Sequence, residues 1–432
     1  MFPIVSFEER HQQLKVIFAR RTVFSSDIEA DVREILEAVR VRKDEALIAL
    51  TERFDGVQLT SLAVPEEALK EAYDQLSDWQ KEVFQKAETQ IRSFHERQRQ
   101  LSWFSEAPHG AILGQRIVPL ARVGLYVPGG KAVYPSSVFM NAIPAQVAGV
   151  QEIIVTSPPG ENGLPHPFIL AAIYQLGLRK VFAVGGAQAI AALALGTESI
   201  PAVDKIVGPG NAYVAAAKRM VFGQVAIDTI AGPSEIVVLA DETADPEWIA
   251  IDILSQLEHD ERASGILVTP HRPLAEATRE ALLALLPEQP RKTYIEKALS
   301  RFSAAIVTPD MKRAVDVVNE LAPEHLELHL EQPWYWLSSI QHAGAIFIGP
   351  HSPVPIGDYI AGPNHVLPTA GTARYASALG VEDFVRRQSL VAHTPESLLH
   401  LTPYAIELAT MEGLPAHAQA LQMRLRRTSK TE

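Results

Sequence analysis

The chain has 432 residues, 47% of them hydrophobic, which exceeds what one hydrophobic core supports, so two large domains with extra segments are expected. Lys and Arg total 39 against 51 Asp and Glu, a formal charge of −12 that argues against non-specific attachment to nucleic acid or an anionic membrane. The absence of Cys excludes disulfides, Cys-ligated zinc, iron–sulfur clusters and a thiol nucleophile, and it fits a cytoplasmic protein.

Residues 1–10 contain Glu8 and Glu9 and no apolar core, so no secretory signal is expected there, and no apolar run approaches membrane-spanning length. The sequence up to Thr22, ending in Arg20 and Arg21, lacks periodicity and is expected to be an arm. Apolar residues at helical spacing (Ile28, Val32, Ile35, Leu36, Val39) predict a helix over 27–54, and the same pattern predicts another over 64–100, opened by Pro65. From Val123 short apolar strands (123–127, 152–157, 180–184, 205–207) alternate with helices (138–150, 168–176, 187–195, 211–222). A second series begins at Glu235, with strands at 236–240, 265–269, 304–307 and 345–348 and helices at 246–259, 274–286 and 311–321. This alternation predicts an α/β fold with two wound, incomplete Rossmann-like parallel sheets, whose ligands bind beyond the carboxyl ends of the strands. After Arg386 the pattern predicts helix to the end, with Thr394 and Pro395 as cap and first turn and fraying from Arg424.

Three glycine turns follow predicted strands: Gly129-Gly130-Lys131, Gly185-Gly186-Ala187-Gln188 and Gly208-Pro209-Gly210-Asn211. Each either brings backbone N–H groups to a phosphate at a helix start or is a plain strand-to-helix turn. Ala132 and Leu125 break the P-loop pattern around Lys131, and Tyr213 stands where the dinucleotide fingerprint needs glycine. Gln256 and His259, three residues apart at a predicted helix end, form half of a divalent-metal site or, more plainly, a polar helix end whose His caps the last carbonyls. Pro323-Glu324-His325 stands between a helix and an apolar strand, as an acid–base pair or as a polar exit loop. The glycine- and proline-rich residues 357–371, with Asp358 and His365, are a long turn or a site loop. Glu412 and His417 flank Pro415, where a helix is expected to break.

The stretches VGLYVPGGKAVYPSSVFMNAIPAQVAGV, VGGAQAIAALALGT, KIVGPGNAYVAAAKR, IAGPSEIVVLAD, SQLEHD, PEHLEL, GDYIAGPNHVLPTAG, GVEDFVRR and EGLPAH follow one another over residues 123–417. In wording and order they closely resemble the histidinol dehydrogenase family. The resemblance implies a zinc-dependent, NAD-dependent oxidation of L-histidinol to L-histidine through L-histidinal, the last two steps of histidine biosynthesis. It puts zinc on Gln256, His259, Asp358 and His417 and the paired acid and base on Glu324 and His325. Substrate contacts fall on Ser234, His325, Glu412 and the four metal positions, and NAD contacts on Tyr126, Gln188 and Asn211. A homodimer with shared active sites is also implied, the tail completing the partner's site. The expected division is an arm over 1–22, a first α/β domain joining the helical residues 23–122 to 235–380, a second over 123–234, and a helical segment over 381–432. One departure from the family stands just before Gly357, where His351-Ser352-Pro353-Val354-Pro355 lacks the customary acidic residue and puts the local loop shape in doubt. Two competing readings are a zinc hydrolase in which Glu324 activates water and a non-catalytic small-molecule binding protein.

Overall fold

A computed structural model describes residues 2–20, 26–129, 133–230 and 232–428; Gly130 and Lys131 of the first glycine turn lie outside the described residues. The strands, numbered along the chain, are β1 (Ile4–Ser6), β2 (Trp103–Ala107), β3 (Ala111–Pro119), β4 (Arg122–Tyr126), β5 (Glu152–Ser157), β6 (Lys180–Ala183), β7 (Lys205–Val207), β8 (Ala226–Ile227), β9 (Glu235–Ala240), β10 (Ser264–Thr269), β11 (Ala304–Val307), β12 (His325–His329), β13 (Ala345–Ile348) and β14 (Val385–Ala392). Strands β4 to β8 form a parallel sheet in the order β6-β5-β4-β7-β8, and β9 to β13 form another in the order β11-β10-β9-β12-β13, with β1 added beside β11. Counted from each unit's first strand, both run 3-2-1-4-5, so the two similar windings expected from the sequence are present. The near-continuous apolar runs explain why: β9 and β10 are buried at every position, as strands covered by helices on both faces must be.

Four helices, Pro135–Ala148, Pro167–Gln175, Gly186–Leu195 and Ala212–Val221, connect the strands of the first sheet. The earlier helices lie against them: Ser26–Asp55 on the last two, Glu66–Asp74 on Pro167–Gln175 and Asp78–Glu96 on Pro135–Ala148. Val32, Ile35, Val39 and Leu47 therefore share one apolar core with residues of β4 to β7. This packing differs from the expected grouping of residues 23–122 with 235–380. The predicted helix over 64–100 is also interrupted, because Ser77 caps a new helix by accepting the Gln80 N–H while Gln80 reaches back to the Ser77 N–H.

Two further corrections concern the ends of the chain. The segment expected to be an arm contains β1 and the helix Arg10–Ala19, anchored by buried Leu14 and Ile17. The segment after Arg386, expected to be helical, begins as β14, which pairs antiparallel with β3 in a three-stranded sheet β14-β3-β2. Helices Pro395–Met411 and Pro415–Thr428 follow, the first capped by Thr394, with Gly413 at φ +69° in the turn between them. No helix among the described residues is long and apolar enough to cross a membrane.

Candidate active site

Strand β12 lies beside β9, so the residues entering these two strands meet at the amino end of the second sheet. Ala322, in the left-handed conformation at φ +47°, ends the helix Met311–Leu321 and turns the chain through Pro323 into Glu324 and His325. Glu324 Oε2 accepts the Glu235 backbone N–H at 2.9 Å, and His325 Nδ1 lies 2.9 Å from the Glu235 carbonyl. A carbonyl only accepts, so Nδ1 carries the proton and Nε2 is left as a bare lone pair. That Nε2 lies 3.8 Å from Asp358 Oδ1. Both side chains are buried. Burial pushes the Glu324 carboxyl well above its usual range, against the Glu235 N–H and Arg20, and burial depresses His325 to about 4, leaving the ring neutral near pH 7.

Asp358 comes from the short helix Val354–Tyr359, where burial raises its carboxyl to about 7. His365 Nδ1 donates to the Asp358 backbone carbonyl at 2.9 Å; its ring is held near 4, chiefly by burial and further by repulsion from His259. His259 sits in the turn after the helix Pro246–Leu257, and its Nδ1 is 3.4 Å from Ser234 Oγ. Burial lowers its pKa, keeping a ring nitrogen free to act as a ligand. Gln256 is in the last turn of that helix, and its Oε1 is buried with no hydrogen-bond partner among the described residues. An orphaned buried carbonyl, an imidazole whose pKa burial lowers and a carboxyl whose pKa burial raises suit a divalent cation, and this mixed N/O donor set suits zinc. Gln256, His259 and Asp358 thus fit the group that the resemblance implies.

Glu412 and His417 stand apart. They are exposed on the C-terminal helices, which pack on each other and on the turn at Pro108–Gly110. Among the described residues no hydrogen bond or ion pair links their side chains to the other candidates.

The NAD candidates gather at the carboxyl end of the first sheet. Tyr126 ends β4, and its hydroxyl accepts the Gly186 N–H at 3.2 Å, at the start of the helix carrying Gln188; burial raises its phenol to about 12. Gln188 is also buried, while Asn211 caps the helix Ala212–Val221 by accepting from the N–H groups of Tyr213 and Val214. A Cβ on Gly208, at φ +119°, would lie 2.0 Å from the Tyr126 carbonyl oxygen, so only glycine lets this turn rest on the strand end. Buried Lys218 and Asp228 pair beneath it, Lys218 donating to the Gly208 carbonyl and Asp228 accepting the Gly208 N–H. Two helix N-termini meet here, which suits an anionic group. The NAD candidates thus stand at the carboxyl end of the first sheet, where ligands are expected from the sequence. In the second, Ser234, His259, Glu324 and His325 stand at the amino ends of β9, β10 and β12.

Residues 360–371 span the two groups. Asn364 donates to the Met140 carbonyl at 2.6 Å, Thr369 Oγ1 accepts the Gly232 N–H at 2.6 Å, and the Ala370 N–H donates to Glu235 Oε1 at 2.8 Å. Sequence reasoning missed Glu235 and Arg20, whose guanidinium is 3.0 Å from Glu235 Oε1 and also donates to the Pro233 and Arg262 carbonyls. His365 stands in the loop that the sequence offers as a long turn or a site loop, with no role attached to it there. A separate buried cluster, Asp252, Glu327 and His329, brings ligand-type atoms within 4.8 Å of one another and shares no member with the expected zinc set.

The sequence model of histidinol dehydrogenase matches residues 18–425. The chain belongs to the histidinol dehydrogenase family. It is 54% identical to histidinol dehydrogenase of Halalkalibacterium halodurans, covering 91% of this chain and 93% of that protein. The Geobacillus kaustophilus enzyme is 53% identical, over 94% and 96% of the two chains. A crystal structure of histidinol dehydrogenase from Elizabethkingia anophelis superposes with a TM-score of 0.94 at 34% identity, over 99% of each chain.

Proposed function

We infer that the protein oxidises L-histidinol to L-histidine through L-histidinal, reducing two NAD, and so performs the last two steps of histidine biosynthesis. Family membership makes it an NAD-dependent oxidoreductase and disfavours a hydrolase. The observation that carries the assignment of roles is the buried pair Glu324 and His325, wired to the Glu235 backbone so that one ring nitrogen is a fixed donor and the other an open base. Gln256, His259, Asp358 and a partner-supplied His417 would hold zinc, which would supply a fixed positive charge for orienting the substrate. Tyr126, Gln188 and Asn211 would seat NAD, which would supply the hydride acceptor.

His325 Nε2 takes the hydroxyl proton of the alcohol as the first hydride leaves. The aldehyde must then be hydrated, because a hydride departs only from a tetrahedral carbon bearing a donor oxygen. The commoner route adds a cysteine thiol, and this chain has none. Glu324, whose burial makes its ionised form a stronger base than an exposed carboxylate, takes a proton from the water while His325 returns its first proton to the carbonyl oxygen; the neutral ring then accepts the hydroxyl proton of the hydrate as the second hydride leaves. Ser234, beside His259, and Glu412 complete the substrate contacts.

The enzyme works as a homodimer in which Glu412 and His417 serve the partner's site. Exposed apolar side chains on the tail helices support this, including Tyr404 at 68%, Leu408 at 60% and Met411 at 72% exposure, as do Phe104 and Val391 on the antiparallel sheet. Apolar surface gathered in this way marks an association face.

NADH formation from histidinol, with and without chelator, tests the reading. Two NADH per histidinol are expected, with activity lost to chelator and restored by zinc. One NADH per histidinol would refute the four-electron reaction, and full activity in demonstrably metal-free enzyme would refute the zinc assignment.

A further inference from the structure

The helix Val354–Tyr359 carries Asp358, yet its amino end has no cap of its own, since Pro353 has no side-chain donor or acceptor. Its first N–H is satisfied from elsewhere in the fold: Val354 N donates to Glu327 Oε1 at 2.8 Å, in a buried setting. Glu327 lies two residues beyond His325 on β12, and the period of a strand puts both on one face. One strand therefore carries the base and, a single pleat further on, the anchor of the helix bearing a metal ligand. The helix is tightly seated. A Cβ on Gly357 would lie 2.5 Å from the Phe347 ring, and that ring is in turn 6.1 Å from the His325 ring.

We propose that Glu327 is a positioning residue: by holding the Val354 N–H it sets Asp358 against His325 and preorganises the metal site. The proposal rests on the reading of Asp358 as a zinc ligand. The second oxygen of Glu327 is buried with no hydrogen-bond partner among the described residues, and an imidazole faces it. His329 Nε2 lies 3.3 Å from Glu327 Oε2 and 3.8 Å from Asp252 Oδ2. Burial first, and then the charge of Glu327, raises the Asp252 carboxyl to about 7. Glu327 thus sets its carboxyl at the positive end of a short helix. Asp252 stands one helical turn before Gln256, so the same cluster braces the helix that supplies a second ligand.

Zinc affinity of the folded dimer, measured by chelator competition and metal analysis, tests this directly. Glu327→Gln keeps an oxygen for the Val354 N–H, and its amide finds an acceptor in Asp252, so zinc affinity should stay within about twofold of wild type. Glu327→Ala should bind zinc about tenfold or more weakly, the usual effect of losing a group that orients a ligand. Val354→Pro removes the N–H at a first-turn position that tolerates proline and must reproduce the loss should the alanine variant fail to fold. Equal weakening by Gln and Ala, or wild-type affinity in folded Val354→Pro, would overturn the proposal. A second zinc equivalent that disappears in Glu327→Gln would also overturn it, by making the cluster a metal site in its own right. Asp358→Ala is the separate control: wild-type zinc affinity there defeats the underlying ligand assignment, whereas weakened binding there with unchanged Glu327→Ala defeats only the role of Glu327.

Discussion

His325 can act as a base because its two nitrogens have different neighbours. The Glu235 carbonyl takes the Nδ1 proton, and burial keeps the ring neutral, so Nε2 is ready throughout the neutral range. Glu324 differs: its raised pKa makes it a base only where an ionised carboxylate is available. Glu324→Gln preserves the bond from the Glu235 N–H but cannot take a proton. Oxidation of supplied histidinal should slow by about a hundredfold, at the low end of what general-base catalysis contributes, while the first oxidation of histidinol slows far less. His325→Asn should slow both. Equal slowing of the two steps by Glu324→Gln would remove Glu324 from the hydration step. Arg20 illustrates a dependence at greater distance. Its guanidinium is 1% exposed beside Glu235, which is 6% exposed, so Arg20→Met leaves a buried carboxylate uncompensated. A loss of about 3–5 kcal/mol is expected in denaturant unfolding. A loss below about 1 kcal/mol would mean that Glu235 finds other compensation.

At the scale of elements, the loop 360–371 depends on what its neighbours donate. Asn364 Nδ2 lies 3.3 Å from His95 Nε2, and His95 Nδ1 is 2.7 Å from Gln98 Oε1, so the helix Asp78–Glu96 helps hold the loop. Burial depresses the His95 pKa below its usual 6.5, Gln98 opposing. A depressed folded pKa means that the unfolded chain takes up the proton first, so this contribution is complete above about 6.5 and is lost as pH falls. Protonated Nε2 would also set a donor against the Asn364 amide. The stability advantage of wild type over His95→Gln should therefore shrink between pH 7.5 and pH 5; an unchanged gap in melting temperature would refute it. Much of this level was legible in the sequence. The buried parallel strands announce themselves because both faces are apolar, and Glu324-His325 stood out between a helix and a strand. What escaped was non-local. Contacts of Glu235 with Glu324 and His325 follow from the register of β9 on β12, and Glu327 meets Val354 only after β13 has been crossed. β14 was read as helix because its exposed side chains are sorted by antiparallel pairing with β3, which a local window does not see.

At the scale of the molecule, one chain brings Glu324, His325 and Asp358 together, with His259 beside Ser234, but leaves Glu412 and His417 exposed on the C-terminal helices. A two-fold dimer makes any exchange of tails reciprocal, each subunit giving what it receives. His259→Ala and His417→Ala subunits are each expected to be inactive alone, every site lacking one ligand. Mixed and reassembled in equal amounts, half of the dimers are hybrids. If the tail serves the partner, each hybrid gathers both lesions into one site and leaves the other intact. Activity should then return to about a quarter of wild type, because half of the dimers carry one working site of two. If each tail instead folds back onto its own subunit, every site in the mixture carries one lesion whatever the pairing. An inactive mixture, with subunit exchange verified by differently tagged chains, would assign His417 to its own chain.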